Sequence, residues 1–220
     1  MTTPDPQPPP SDSSSSPSSP ASSSSSQTAS RDRIYRSPAG IAGGVLLLGL
    51  VGWLGIDALV AGDGRVPWLA LAAMLLMVPL ITAFTLRPAV FANEDRLRIR
   101  NPFRVVELPW ATVESFRSGY SNEVLDTAGA KYQLWAIPVS LRARKKATRR
   151  QNRAEADGMA PADGPIRAQA DQIMDELGEL KESRAAAPTS QGEPTVRWAY
   201  EVAAPAVAGA VLLVILIATG

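Results

Sequence analysis

The chain has 220 residues, a formal net charge of +1, and neither cysteine nor histidine. Their absence excludes disulfides, thiolate or imidazole metal sites, cysteine nucleophiles and a histidine general base. We therefore expect no metal, no cofactor and no enzymatic activity, because an enzyme would need serine, lysine, tyrosine or carboxylate chemistry and no motif spacing supports it. The near-zero net charge also disfavours nucleic acid as a partner of the whole chain.

The first 36 residues are predicted to be a disordered Ser/Pro-rich tail. The first thirty contain thirteen Ser and seven Pro, and such a segment cannot bury enough apolar surface to offset the entropy lost on ordering. A transit peptide is disfavoured because those peptides are rich in Arg, and no Arg precedes Arg31.

Residues 37–86 are predicted to form a two-helix transmembrane hairpin. The apolar runs 40–61 and 67–86 flank the polar turn GDGRV, and each reaches the ~20 residues that a bilayer core requires. The first run is too long for the core of a cleavable signal peptide. Pro79 is expected to kink the second helix, and Asp57 is expected to reach the membrane interface rather than act as a functional intramembrane acid.

Small residues indicate where these helices pack, since they let helix backbones approach closely in lipid. Gly40 and Gly44 form one such pair, and Ala206 and Ala210 repeat the spacing near the end of the chain. Packing within the chain is the favoured interpretation, and oligomerisation is the alternative.

Residues 87–138 are predicted to form a small antiparallel β sandwich or barrel, because short apolar segments alternate with turn signals. In RLRIR, Leu97 and Ile99 share one face of the strand and the Arg residues share the other. Trp110 and Leu134 are expected to join Leu97 and Ile99 in the core. The predicted strands are 88–92, 96–100, 105–108, 112–118, 123–125 and 131–137.

A basic and polar linker, 139–163, is predicted to lead to an amphipathic helix, 164–184, with Asp163 as its N-cap. Its apolar stripe would close the β barrel, and the residues of the stripe are Ile166, Ala170, Ile173, Met174, Leu177 and Leu180. A second linker, 185–201, precedes a C-terminal transmembrane helix, 202–220, which is uncharged.

The opening of the β domain carries a resemblance. Arg87-Pro88, DRLRIRNPFR and the LPW of 108–110 resemble the bacterial PH-like domain of actinobacterial membrane proteins of the low-molecular-weight protein antigen type. The resemblance implies a PH-like barrel at the cytoplasmic face and carries over no catalytic residue. The long basic insert before the amphipathic helix departs from that pattern, so whether this helix closes the barrel is left open.

Seven basic residues lie within the twelve residues 142–153. They are candidates for binding anionic lipid head groups, because basic residues beside a membrane are attracted to an anionic leaflet. The alternative is a solvated helical connector, and nucleic acid is disfavoured because no aromatic residue interrupts the run. The candidates are Arg142, Arg144, Lys145, Lys146, Arg149, Arg150 and Arg153.

A second candidate is the strand face formed by Arg96, Arg98 and Arg100. It resembles the basic strand with which eukaryotic PH domains hold phosphoinositides, and three Arg residues on one face provide charged donors for phosphate. The alternative is an ordinary solvated strand face.

These observations predict a membrane-tethered PH-like interaction module that binds a protein partner or anionic lipid head groups at the cytoplasmic face. The alternative is an accessory subunit of an envelope transport or envelope synthesis complex, in which the helices are the working part. Arg residues flank the tail side of the first helix and both sides of the β domain. Because positive charge favours the cytoplasm, the tail and the β domain are predicted to be cytoplasmic and the C-terminus outside.

This orientation predicts a labelling pattern. Single cysteines at Ser13, Asp63 and Gly220 can be introduced into the cysteine-free chain. In intact cells, an impermeant thiol reagent should label positions 63 and 220 and leave position 13 unlabelled. Labelling at position 13 alone would show the reverse orientation.

Overall fold

The computed structural model describes residues 32–156 and 168–219. The predictions for residues 1–31, Ile166 and Gly220 lie outside these ranges. The described elements follow in chain order: β1 (Arg33–Tyr35), α1 (Pro38–Ala61), α2 (Val66–Ile81), a π-helical turn (Thr82–Leu86), β2 (Ala89–Ala92), β3 (Arg96–Arg100), β4 (Arg104–Pro109), β5 (Val113–Ser118), β6 (Asn122–Asp126), β7 (Lys131–Gln133), α3 (Leu141–Ala156), α4 (Gln169–Arg184), β8 (Thr195–Trp198) and α5 (Tyr200–Ala218).

Three helices in the described part of the chain are long and apolar enough to cross a membrane: 38–61, 66–86 and 200–218. The first begins sharply because Ser37 Oγ accepts a hydrogen bond from the Gly40 amide at 3.1 Å and Pro38 occupies the first turn. The second contains Pro79 and changes to π-helical winding at Thr82. There the Arg87 amide donates to the Thr82 carbonyl, five residues back, at 2.9 Å.

The helices pack closely where glycines face a neighbour. A Cβ added at Gly209 of α5 would lie 2.5 Å from the Leu76 nitrogen of α2, so the two backbones approach too closely for any side chain there. At Gly44 of α1, an added Cβ would instead meet the side chain of Thr85. The Arg65 guanidinium donates to the Leu216 carbonyl, so the α1–α2 turn and the end of α5 lie together. These contacts support the predicted packing within the chain.

The β domain consists of two antiparallel sheets. One has five strands in the order β1-β2-β3-β4-β8, and the other has three in the order β5-β6-β7. The predicted closed barrel is therefore wrong: the described strands form two separate sheets. Residues 134–137 are also not a strand, because the chain turns there and the Ile137 amide donates to the Leu134 carbonyl at 3.0 Å.

Both edge strands of the larger sheet lie in segments that the sequence assigned to other roles. β1 falls in the predicted tail 1–36 and pairs with β2, with Ile34 opposite Phe91. β8 falls in the predicted linker 185–201 and pairs with β4, with Arg197 opposite Val105. These strands have three and four residues, and all of β8 is exposed, so neither carries the burial alternation by which a strand is recognised.

The predicted core is confirmed. Leu97, Ile99 and Trp110 are fully buried, and Leu134 is 1% exposed. The Trp110 indole nitrogen donates to the Asn93 carbonyl at 2.8 Å, which satisfies its polar atom inside the core.

The predicted amphipathic helix is present as α4, whose Met174 and Leu177 are buried in the same core. It begins after Ala168, which holds the cap position with extended backbone angles and no side-chain cap; the predicted N-cap, Asp163, lies outside the described residues. α4 is held to β1 as well, because the Tyr35 hydroxyl donates to Glu176 Oε2 at 2.9 Å. Burial first, and then this hydrogen bond, raises the pKa of Tyr35 above its ordinary value.

The β domain contacts the helices through aromatic side chains at the β3–β4 turn. Phe84 of the π-helical turn meets Phe103 edge-on at a centroid distance of 5.4 Å and Trp135 at 5.5 Å. The Ala199 amide, just before α5, donates to the Phe103 carbonyl at 2.8 Å. This end of the domain is therefore fixed against the ends of α2 and α5.

Replacing Trp110 with Ala should destabilise the β domain by about 3–5 kcal/mol, since it removes a large buried side chain and leaves a cavity. That is a large share of the 5–15 kcal/mol typical of a domain. Tyr120→Ala is the matched control, because Tyr120 is 98% exposed, and it should change stability by less than about 0.5 kcal/mol. Urea unfolding of the full chain in detergent micelles measures both, and equal midpoints for the two variants would contradict the assignment.

Candidate functional site

The basic run lies on α3, so the segment predicted as a linker is largely helical. Ser140 begins the helix, since its Oγ accepts a hydrogen bond from the Ala143 amide at 3.1 Å. Six of the seven candidate side chains are exposed, and at 100° per residue they fall within an arc of about 140° on one side of the helix. We call this set the α3 basic face: Arg142, Lys145, Lys146, Arg149, Arg150 and Arg153.

Arg144 lies on the opposite side of α3 and has protein partners. Its Nε lies 3.1 Å from each carboxylate oxygen of Asp171 in α4, and a terminal nitrogen lies 2.5 Å from Asp171 Oδ1. Its guanidinium also donates to Ser118 Oγ and to the Gly119 carbonyl. Arg144 therefore connects α3 to α4 and to the β5–β6 turn, and we leave it out of the proposed lipid-binding set.

The three strand Arg residues lie on the outer face of the larger sheet, as the period of two predicts. Glu107 lies opposite Arg98 on β4 and bridges two of them, with distances of 3.2 Å to Arg96 and 3.4 Å to Arg98. The Arg98 guanidinium also lies 5.7 Å from the centre of the Phe91 ring, a distance typical of cation–π contact. Two of the three Arg side chains thus share a single carboxylate.

Arg100 belongs to a different group of charges, where the sheet meets the membrane helices. Arg87 forms a salt bridge of 2.8 Å with Glu201 in the first turn of α5. Burial first, and then the positive charges of Arg87, Arg98 and Arg36, lower the pKa of Arg100. We call Arg36, Arg87, Arg100 and Glu201 the junction cluster.

The junction cluster was missed as a site by the sequence analysis. Arg36 contributed only to the predicted orientation of the helices. Arg87 contributed to that orientation and to the family resemblance, and Glu201 was placed in a linker. The sequence does contain one signal for this cluster. Arg36, Arg87 and Glu201 each adjoin or begin a candidate membrane helix, and Arg100 ends a strand whose Arg residues are predicted to face outward. The pairings of β1 with β2 and of β2 with β3, together with the Arg87–Glu201 salt bridge, show that these positions meet.

A cleft of about 220 Å³ lies between the beginnings of α1, α3 and α4, with Arg36 and Arg144 among its lining residues. Most of the rest of the lining is apolar, including Pro38, Ile137 and Ile173. Within the described ranges, no three Asp or Glu residues come together in a group able to hold a metal ion.

Residues 87–163 match the bacterial PH domain family. The match covers about a third of the chain. Searches of curated proteins and of solved structures gave no match.

The match confirms the resemblance at the level of a bacterial PH domain, whereas the actinobacterial origin and the antigen type stay predictions. Its bounds differ from those predicted for the β domain, 87–138, because they include α3. They leave out β1, α4 and β8, which complete the larger sheet and the core. The bacterial PH domain of this chain is therefore assembled with segments from outside the matched residues.

Replacing Arg144 with Gln should loosen α3 from the rest of the domain. The Arg144–Asp171 pair is partly exposed, with side-chain exposures of 25% and 28%, so we expect a loss of only ~1 kcal/mol. Amide hydrogen exchange in 141–156 should then quicken about fivefold. Arg149→Gln removes the same charge from the exposed face and should leave the exchange unchanged; equal effects of the two would refute the role given to Arg144.

Proposed function

We propose that the protein is a membrane-tethered interaction module whose bacterial PH domain binds anionic lipid head groups or a protein partner at the cytoplasmic face. The observation that carries the proposal is the α3 basic face, six exposed positive charges on a domain connected to three helices of membrane-spanning length. The family match supports binding as the role of the domain.

The electrostatics favour an anionic surface over a neutral one. Each Lys or Arg near an anionic leaflet contributes about 1 kcal/mol of attraction, and this contribution decays within a Debye length of about 8–10 Å. The same six residues have no salt bridge within the described part of the chain. Their charge is thus available for a partner.

The cytoplasmic placement of the domain rests on the Arg residues that flank the helices. The arrangement of the helices supports a β domain that lies wholly on one side of the membrane, because the α1–α2 turn and the end of α5 meet through Arg65 and Leu216. The β domain joins the other ends of the same helices. The proposed role is binding rather than catalysis, since no catalytic motif occurs in the sequence.

The lipid half of the proposal can be tested in the full chain. Asn152 is exposed on α3, and Asn152→Cys gives a single attachment site for an environment-sensitive dye in this cysteine-free protein. In nanodiscs that contain phosphatidylglycerol the dye emission should shift to the blue and be quenched by a lipid-borne quencher. In nanodiscs of phosphatidylcholine alone it should not, and salt should reverse the effect.

Changing Lys145, Lys146, Arg149 and Arg150 together to Gln should abolish most of this shift. The control is Arg96→Gln with Arg98→Gln, which removes the two strand charges that share Glu107 and leaves α3 unchanged, and it should retain the shift. Loss of the emission shift in the strand variant alone would show that the lipid-binding site is on β3. An emission that is the same in both nanodiscs would overturn lipid binding by α3 and leave a protein partner as the proposed ligand.

A further inference from the structure

The junction cluster brings together residues at the ends of the candidate membrane helices that adjoin the β domain. Arg36 is separated from α1 by one residue, Arg87 directly follows the π-helical turn, and Glu201 lies in the first turn of α5. Arg100 completes the group from the end of β3. Every helix of membrane-spanning length therefore contributes or adjoins one charged member.

The cluster has more positive charge than its carboxylate can balance. Glu201 pairs with Arg87, and Glu107 pairs with Arg96 and Arg98. Among the described residues, Arg36 and Arg100 form no salt bridge. The like charges of Arg87 and Arg36 act on Arg100 in the direction that disfavours its protonated form, so an added anion would be stabilised there.

Two donors in the cluster are buried and have no acceptor in the described structure: Nε of Arg87 and Nε of Arg100. The Arg87 side chain is only 10% exposed, so solvent access to that group is restricted. A buried charged donor without a partner is costly, and native structures rarely leave one unsatisfied. Guanidinium groups donate through a planar fork that fits the oxygens of phosphate.

The position of the cluster matches the level of lipid phosphates. Arg197 lies on the same sheet face, two strands from Arg100 through Val105, which is a separation of roughly 10 Å. Trp198 and Tyr200 follow it with exposures of 60% and 71%. Exposed aromatic residues beside a membrane helix are typical of the interface between head groups and hydrocarbon.

We infer that Arg36, Arg87 and Arg100 hold the phosphate group of an anionic membrane lipid, with Glu201 keeping the Arg87 guanidinium in position. The inference rests on the proposed function only in placing the domain at the membrane. It assigns a defined phosphate site at the junction of sheet and helices, separate from the α3 basic face.

The test is native mass spectrometry of the full chain in detergent micelles titrated with phosphatidylglycerol. Arg100→Gln should weaken the lipid adduct about tenfold or more, as loss of a charge-assisted hydrogen bond implies. Arg100→Lys keeps the charge but lacks the planar fork of donors, so its affinity for the lipid should lie between those of the unaltered protein and Arg100→Gln. Arg96→Gln removes the same charge from the same strand face and should bind like the unaltered protein, because Arg96 is paired with Glu107.

Arg87→Gln leaves Glu201 unpaired, so the double variant Arg87→Gln, Glu201→Gln accompanies it; the adduct should be weak in both. Equal binding by Arg100→Gln and Arg96→Gln, with unchanged melting temperatures, would overturn the inference. Inorganic phosphate tests whether the ligand is a lipid or free phosphate. If inorganic phosphate displaced the lipid at a concentration equal to that of the lipid, the site would be a free-phosphate site and the lipid assignment would be overturned. The quadruple α3 variant should keep the lipid adduct. A failure of this inference is therefore distinguishable from a failure of the proposed function.

Discussion

The five-stranded sheet is connected to all three candidate membrane helices by one or two residues at each junction, and the rest of the structure depends on this constraint. Two residues separate β1 from α1, two separate the π-helical turn from β2, and one separates β8 from α5. Such connections are far shorter than the linkers that let domains move independently. The sheet is therefore held at one end of the three candidate membrane helices, and its end at the β3–β4 turn packs on Phe84.

The short connections between sheet and helices also explain why residues 87–163, which match the family, do not form a complete domain by themselves. Without β1 and β8, strands β2 and β4 would become the edges of the larger sheet and would expose unpaired amides and carbonyls. α4, also outside the match, supplies Met174 and Leu177 to the core. The proposed binding is therefore expected of the full chain, in which the segments beside the helices provide the edge strands of the sheet.

The sequence predicted the elements whose burial is periodic and missed those whose placement depends on distant partners. Leu97 and Ile99 alternate with Arg residues because one face of β3 is buried, so periodicity alone identified that strand and its outward charges. β1 and β8 are short and bury little, so pairing with β2 and β4 defines them and no local pattern does. Arg144 differs from its six basic neighbours because Asp171 lies nearby in space, although helical spacing alone already puts it on the other side of α3.

The two basic surfaces differ in physical character. The α3 basic face is solvated, so its attraction is long-ranged, screened by salt and indifferent to the shape of its ligand. The junction cluster is partly buried, so its interactions are screened less and depend on the geometry of the acceptor. A protein already anchored by membrane helices needs no charge to reach the bilayer, since the tether fixes its local concentration there. If both proposals hold, neither surface serves for recruitment: the α3 basic face would respond to the composition of the leaflet, and the junction cluster would fix the sheet against one phosphate.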